Sequence, residues 1–555
     1  MYSNKENINI LTSLLVEWGV SDAVVCPGSR NAPIVHNLNE CPSIRCVPAT
    51  DERSAAFYAL GLALATGRPT VVCVTSGTAL LNAAPAVAEA FYQHVPIVVV
   101  SADRPRQWIG QLDGQTLPQD GALGSFVRHS VTLPEPHDDE ERWLCRRLVN
   151  EALHSATCRQ PAPVHINVPI SEPLFTFDVE ELPVVKRWNM RRKMLSYYGD
   201  FYFPSRLKYA HKPLIVIGQM ANGAISDETI HSLRRHFVVF AEPLSNSSYS
   251  VIHFDEAVRS LSDTDDGYKP DYILYVGDTL VSKPTRRWLR QTKAPSCLLT
   301  PDALDMHDPL TTLEDIVECA ADDIDTFLSR FSDEAMANDS DRREFYDRWQ
   351  ALLNDCAQRA ECFEPPYSQM AVVRYFEQQL DDLDASVYTH YANSTAIRLA
   401  CIYAGHYVWC NRGVNGIEGS LSTAAGFSIA IEELTVCIIG DLSFFYDQNA
   451  LWNSSVDGNL RVILLNNSEG GIFKMLPGLG ASAAAHDFVA AAHHTTAEGI
   501  CAQNDIGYMA AHNMSEMQIG IVTLLTRDAH RPMLLEVFTD AEEDARVMKQ
   551  YFAKN

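Results

Sequence analysis

Val436-Cys437-Ile438-Ile439-Gly440-Asp441-Leu442-Ser443, followed by Val462-Ile463-Leu464-Leu465-Asn466-Asn467-Ser468-Glu469-Gly470-Gly471, is the stretch whose reading decides the fold. Two unbroken apolar runs each end in polar groups. Such runs suit strands buried on both faces of a parallel sheet. In sheets of that kind, ligands sit beyond the carboxyl ends of the strands. Asp441 and Asn467, 26 positions apart, are therefore expected side by side at one sheet edge. A carboxylate, an amide oxygen and a backbone carbonyl are hard oxygen donors suited to Mg²⁺ bridging to a phosphate. Gly440 and Ser443 frame a helix start whose N–H groups can face that phosphate. The plainer reading is a strand end whose Asp caps a helix.

Working outward, 555 residues suggest three or four domains at about 150 residues each. The hydrophobic share of 46% and charged share of 21% are those of an ordinary globular protein. A formal net charge of -26 disfavours nucleic acid or an anionic membrane surface as a partner. Anionic substrates would need a local basic pocket. No apolar run approaches a membrane span, and Met1–Asn7 has neither the basic start nor the apolar core of a signal peptide. Fourteen scattered cysteines without a Cys-x-x-Cys pair predict reduced, buried thiols in a cytoplasmic protein.

Three α/β blocks follow from the alternation of strand and helix patterns, each predicted to be a doubly wound parallel sheet. The first covers residues 1–185, with strands at Ala23–Cys26, Thr70–Val74, Ile97–Val100 and Val164–Val168 and helices at Ala55–Ala65 and Ala79–Tyr92. Pro183 and the basic Lys186–Lys193 segment mark a linker. The second covers residues 195–350, with strands at Pro213–Ile217, Val238–Phe240, Tyr272–Val276 and Cys297–Leu299. Its charged Asp333–Arg348 segment reads as a solvated helix. After Pro365-Pro366, the third covers residues 367–555, with strands at Ser386–Thr389, Tyr407–Trp409, Val436–Ile439, Val462–Leu465 and Met533–Val537.

The Gly-Asp…Asn-Asn arrangement resembles the diphosphate-binding signature of thiamine-diphosphate enzymes, with Leu442 where the usual third residue is Gly. That resemblance implies a carboxylate in the first block that hydrogen-bonds the cofactor's aminopyrimidine, an acid–base relay through the cofactor. Glu52, in Thr50-Asp51-Glu52-Arg53 ahead of an Ala-rich helix, fits; the bland alternative is a helix cap. Thr75-Ser76-Gly77-Thr78, with Asn82, resembles the turn that lines the cofactor in acetohydroxyacid synthase and its relatives.

Cys26-Pro27-Gly28-Ser29-Arg30, Ser101-Ala102-Asp103-Arg104-Pro105 and Asn411-Arg412-Gly413-Val414-Asn415-Gly416-Ile417-Glu418-Gly419 narrow the resemblance. With Thr50–Arg53 and Gly440–Ser443, they closely resemble the 2-succinyl-5-enolpyruvyl-6-hydroxy-3-cyclohexene-1-carboxylate synthases of menaquinone biosynthesis, end to end. In that family Leu442 is the ordinary residue. The resemblance implies three units (pyrimidine-binding, central and diphosphate-binding), thiamine diphosphate, and Mg²⁺ with Mn²⁺ as a substitute. It implies decarboxylation of 2-oxoglutarate, addition of the resulting carbanion to isochorismate, and release of CO₂. It also implies a homo-oligomer, usually a tetramer, with active sites at a subunit interface.

Residue by residue, the resemblance makes Glu52 the activating carboxylate. Asp441 and Asn467 are then side-chain cation ligands, with the backbone carbonyl of Glu469 as a third. Gly77, Asn82, Leu442 and Ser443 line the cofactor, Ile417 props it, and Ile472, Phe473 and Leu476 wall the pocket. Ser394 and Arg398 would hold the distal carboxylate of 2-oxoglutarate; Ser29, Arg30, Arg104, Gln115 and Arg412 would hold isochorismate. Lys283 is the central unit's contribution. Arginine suits these roles because its planar fork grips carboxylate bidentately. Bland readings stand beside these: a loop arginine pairs with a nearby acid, and Ile417 and Phe473 belong to the core. His486 and the adjacent His493-His494 lack the spacing of a helical zinc site. An acetohydroxyacid synthase-like decarboxylase and an inactive cofactor-binding subunit are the competing functions; the number of motif arginines argues against a small neutral acceptor.

Overall fold

The structure, a computed structural model, describes residues 1–189, 204–245, 252–262, 264–334, 340–383, 385–476 and 478–553. Residues 190–193 of the basic linker segment lie outside them, as do 335–339 of the charged segment. Among the described residues, sixteen strands build three sheets, and every strand pair within them is parallel.

The first sheet has six strands in the spatial order Arg45–Pro48, Asp22–Val25, Thr70–Val74, Ile97–Asp103, Val164–Pro169, His129–Thr132. The second runs Leu313–Glu318, Ser296–Thr300, Tyr272–Val276, Pro213–Ile217, Val238–Ala241. The third runs Val387–Tyr391, Leu434–Gly440, Leu460–Asn466, Met533–Phe538, Gly507–Ala511. The central strands are the continuous apolar runs, buried along nearly their whole length.

Four strands escape the sequence reading: Arg45–Pro48, His129–Thr132, Leu313–Glu318 and Gly507–Ala511. All four lie at sheet edges. An edge strand meets solvent on one side and carries polar residues there, so it shows no unbroken apolar run. Tyr407–Trp409 is not a strand; Trp409 makes a single bridge to His390 beside the edge strand. Pro85 splits the expected helix Ala79–Tyr92 into Thr78–Asn82 and Ala84–Tyr92. The charged segment continues into the helix Ser340–Cys362, which is not merely solvated: Phe345, Trp349, Leu353 and Cys356 enter the core of the second sheet. Apolar residues three or four apart suffice to bury one stripe of an otherwise charged helix.

The first and third sheets share one apolar core. Its centre is a pair of helices, Glu52–Thr66 and Ser420–Ala430, each buried around most of its circumference. Asp51 caps the first helix by accepting from the N–H groups of Arg53 and Ser54, and Gly67 ends it in the left-handed conformation. The backbones approach too closely for side chains at the crossing. A Cβ on Gly61 would lie 2.0 Å from the Thr423 carbonyl oxygen, and one on Gly426 would lie 2.3 Å from that of Tyr58. Gly61→Ala should therefore destabilise the protein by about 1–3 kcal/mol or more despite alanine's better helix propensity. Gly405→Ala, where a Cβ meets open space, should stay within about 0.5 kcal/mol. Denaturant midpoints of the two variants check this.

Candidate active site

At the third sheet, Gly440 pairs with Leu465, so Asp441 and Asn467 leave adjacent strands together. Asp441 Oδ2 accepts the Asn467 backbone N–H at 3.0 Å, and Oδ1 accepts that of Leu442 at 2.7 Å. Asn467 Nδ2 donates to Asp544 Oδ2 at 3.0 Å. That leaves Asn467 Oδ1 without a protein partner among the described residues. The Glu469 carboxylate turns aside to Lys474, at 2.9 Å, so its charge is neutralised by the protein. One carboxylate and an open amide oxygen fit a hard cation that takes its other ligands from a phosphate. Among the described residues no group of three or more His, Cys, Asp or Glu gathers as a metal cluster. His493 Nε2 lies 3.4 Å from Asp441 Oδ2, a contact with no signal in the sequence spacing.

Ser443 Oγ donates to the Ile417 carbonyl at 2.7 Å, which fixes the backbone of Ile417 while its side chain stays 37% exposed. Asn393 pins the same loop, donating to the carbonyls of Asn411 and Gly416 and accepting from Arg412 Nη1. Buried Glu89, from the first sheet's helix Ala84–Tyr92, accepts the N–H groups of Gly413 and Val414. Neither Asn393 nor Glu89 stood out in the sequence, because each acts through backbone contacts to a distant segment.

A cavity of about 390 Å³ lies between the second and third sheets. Arg398, Lys283, Ile472, Phe473 and Leu476 all line it. Its carboxylates are already engaged. Asp255 pairs with Arg259, Glu256 accepts from Tyr551 and contacts His253, and Glu242 accepts the N–H groups of Val281 and Ser282. Burial pushes the Glu242 carboxyl up to about 7. Two cations are not engaged: neither Arg398 nor Lys283 forms an ion pair among the described residues. Arg398 Nη1 donates only to the Ser394 carbonyl, at 3.1 Å. Burial, and then the neighbouring Arg412 charge, lower the Arg398 guanidinium to about 10, so it remains a cation at neutral pH. Arg412 is buried, and its Nε has no partner. Ser394 holds a positive φ of 77° at the turn into the helix Thr395–Tyr403. An arginine pair close in charge, without a carboxylate of its own, calls for an anionic ligand.

The first sheet gathers a second rim. A Cβ on Gly28 would lie 2.4 Å from Thr75, so the Ser29 loop rests against the Thr75–Gly77 turn. Gly77 has φ +90°, and its N–H donates to Gln119 Oε1; the backbone of Gln115 lies against it. Ser29 and Gln115 are exposed. Arg104 follows strand Ile97–Asp103, and its Nε is buried without a partner. Arg30 is already engaged: Nη1 donates to the Ile170 carbonyl at 2.9 Å and Nη2 lies 3.3 Å from Glu172.

Glu52 and Asn82 meet directly, Asn82 Nδ2 donating to Glu52 Oε2 at 3.0 Å. They open onto a recess shared with Leu81, Tyr446, Asn449 and Trp452; neither Asp441 nor Asn467 lines it. Leu81, Tyr446 and Trp452 are exposed apolar side chains around the carboxylate. Within one chain, then, the two ends of the expected cofactor site do not form one cleft.

A parallel-sheet pair bearing an acid at one helix start, and an oxygen-donor edge on the other sheet, is the arrangement the resemblance to thiamine-diphosphate enzymes leads one to expect. The model of the thiamine pyrophosphate enzyme N-terminal TPP binding domain matches residues 8–123, which hold Glu52, Gly77 and Asn82. The chain is 41% identical to the 2-succinyl-5-enolpyruvyl-6-hydroxy-3-cyclohexene-1-carboxylate synthase of Bacteroides thetaiotaomicron, covering 100% of this chain and 99% of the relative. It is 42% identical to the protein of that name from Bacteroides fragilis, with the same coverage, and 33% identical to that of Porphyromonas gingivalis over 99% and 97% of the two chains. The chain belongs to the 2-succinyl-5-enolpyruvyl-6-hydroxy-3-cyclohexene-1-carboxylate synthase family, and is an enzyme with the three-sheet α/β architecture of thiamine-diphosphate enzymes.

Proposed function

We propose that this chain decarboxylates 2-oxoglutarate and joins the remaining four-carbon unit to isochorismate, giving 2-succinyl-5-enolpyruvyl-6-hydroxy-3-cyclohexene-1-carboxylate and CO₂ in menaquinone biosynthesis. The observation that carries this reading is the unpaired cation set at the cavity, Arg398 and Lys283 with Arg412 behind, in a chain of net charge -26. A dicarboxylic oxoacid and a dicarboxylic acceptor both need such a set.

Thiamine diphosphate, when bound, supplies the carbon nucleophile and the electron sink for decarboxylation. Asp441, the Asn467 amide oxygen and the Glu469 carbonyl would hold Mg²⁺, or Mn²⁺ in its place, against the diphosphate. Ile417 would support the ring system. Glu52 would hold a proton at the pyrimidine, oriented by Asn82. Arg398 and Ser394 would grip the distal carboxylate of 2-oxoglutarate. Ser29, Arg104, Gln115 and Arg412, with Lys283, would hold isochorismate. For Arg30, whose donors already reach Ile170 and Glu172, that role would require the exposed Glu172 to yield.

We propose units spanning residues 1–185, 195–350 and 367–555, and a cytoplasmic homo-oligomer in which the Glu52 recess of one copy closes over the Asp441 edge of another. The apolar side chains around Glu52 support that closure. So do the fourteen unpaired cysteines support a reducing compartment. No described helix is long and apolar enough to cross a membrane.

Arg398→Ala should raise the concentration of 2-oxoglutarate needed for half-maximal rate roughly tenfold to a hundredfold, the loss of a charge-assisted contact worth about 1.5–3 kcal/mol. The requirement for isochorismate should change far less. Steady-state kinetics with each substrate varied in turn, product identified by mass, checks both the role and the reaction. Equal effects on both substrates would remove the assignment, and CO₂ release from pyruvate in preference to 2-oxoglutarate would favour the acetohydroxyacid synthase-like alternative.

A further inference from the structure

An amide can serve a cation only when its oxygen, not its nitrogen, faces the ion. Something must therefore hold the Asn467 side chain the right way round. Its Nδ2 donates to Asp544 Oδ2 at 3.0 Å. Asp544 stands in the first turns of helix Ala541–Tyr551, far from Asn467 in sequence. It has two further contacts. Oδ1 accepts the backbone N–H of Gln369 at 2.8 Å, and Oδ2 accepts the Thr539 hydroxyl at 2.8 Å.

We infer that Asp544 is a positioning residue that locks the Asn467 amide with its oxygen toward the cation. A carboxylate only accepts hydrogen bonds, so it selects the nitrogen of Asn467 and turns the oxygen away from itself. Gly471 leaves room for this arrangement, since a Cβ there would lie 2.7 Å from Asn467 Nδ2. The inference rests on the proposed cation role of Asp441 and Asn467. It adds a residue that touches neither cation nor cofactor and that carries no motif.

The geometry makes the lock reversible on paper, and so testable. In Asp544→Asn the new amide must keep its oxygen on the fixed Gln369 N–H, because a backbone donor cannot rotate. Its nitrogen then faces Asn467, while the Thr539 hydroxyl can turn to accept. Two NH₂ groups cannot stay opposed, so the Asn467 amide flips and presents nitrogen to the cation. In Asn467→Asp two carboxylates oppose each other. In the double variant, Asp544→Asn with Asn467→Asp, the donor and acceptor have exchanged places and an oxygen faces the cation again.

The test is a calorimetric titration of Mg²⁺ into each protein in the presence of saturating thiamine diphosphate, with melting curves alongside. Each single variant should need roughly tenfold to a hundredfold more Mg²⁺. The double variant should return most of the way to the unmodified protein. Unchanged Mg²⁺ affinity in Asp544→Asn overturns the inference. A double variant at least as weak as the worse single variant also overturns it, since a merely structural tie through Gln369 gains nothing from the exchange. Asn467→Ala separates this failure from that of the underlying reading: if it leaves the Mg²⁺ requirement unchanged, Asn467 is no ligand and the cation site itself is wrong.

Discussion

Glu52→Gln should lower turnover by about 10²–10⁴-fold while thiamine diphosphate still binds in a Mg²⁺-dependent manner. The substitution preserves shape, and its amide oxygen can still accept from Asn82. What it removes is the ability to give and take a proton. The separation of effects matters more than the size of the loss. Glu52 lies with Asn82 in a recess that neither Asp441 nor Asn467 lines, so its replacement should leave the cation edge intact. Calorimetry for cofactor binding and single-turnover decarboxylation for chemistry measure the two independently. Normal turnover would make Glu52 only the first residue of a capped helix, the bland reading of its position after Asp51.

Asp441→Asn should act the opposite way, raising the Mg²⁺ needed for cofactor binding by more than about a hundredfold, on the order of 3 kcal/mol. The Asp441 carboxylate accepts two backbone N–H groups, from Leu442 and Asn467, one on each oxygen. An amide can satisfy only one of them and places its NH₂ against the other. The change therefore removes the charge and also disturbs the turn that presents Asn467. Loss of rate should follow loss of cofactor and should be partly restored at high Mg²⁺, which Glu52→Gln should not allow. A rate defect that no Mg²⁺ concentration relieves would contradict the assigned role.

The central strands were legible because burial on both faces writes itself as an apolar run, and Val436–Ile439 and Val462–Leu465 carry that signal at full strength. The edge strands were not. Leu313–Glu318 alternates half-buried and exposed residues and includes Glu314, Asp315 and Glu318. Glu52, Asp441 and Asn467 stood out as candidates because each follows a strand in a motif of fixed order. Arg398, Lys283 and the wall of Ile472, Phe473 and Leu476 come from three distant segments, and only the packing of the second sheet on the third brings them to one cavity. Residues that act through backbone N–H groups, such as Glu89, Glu242 and Asp544, leave no spacing signal at all. Glu469, beside the proposed cation ligands, pairs with Lys474, a partner five positions on that no motif marks.

The proposed site would be built from two copies, the proton-handling acid from one and the oxygen-donor edge from the other. Co-expression of Glu52→Gln and Asp441→Asn, assayed at a Mg²⁺ concentration at which each alone is nearly inactive, tests this most directly. A mixed dimer would then carry one doubly altered site and one unaltered site, so activity should return to roughly a quarter of that of the unmodified enzyme under random pairing. If both groups served one site within a single chain, every site in the mixture would carry a defect, and the co-expressed protein would stay as inactive as its parents.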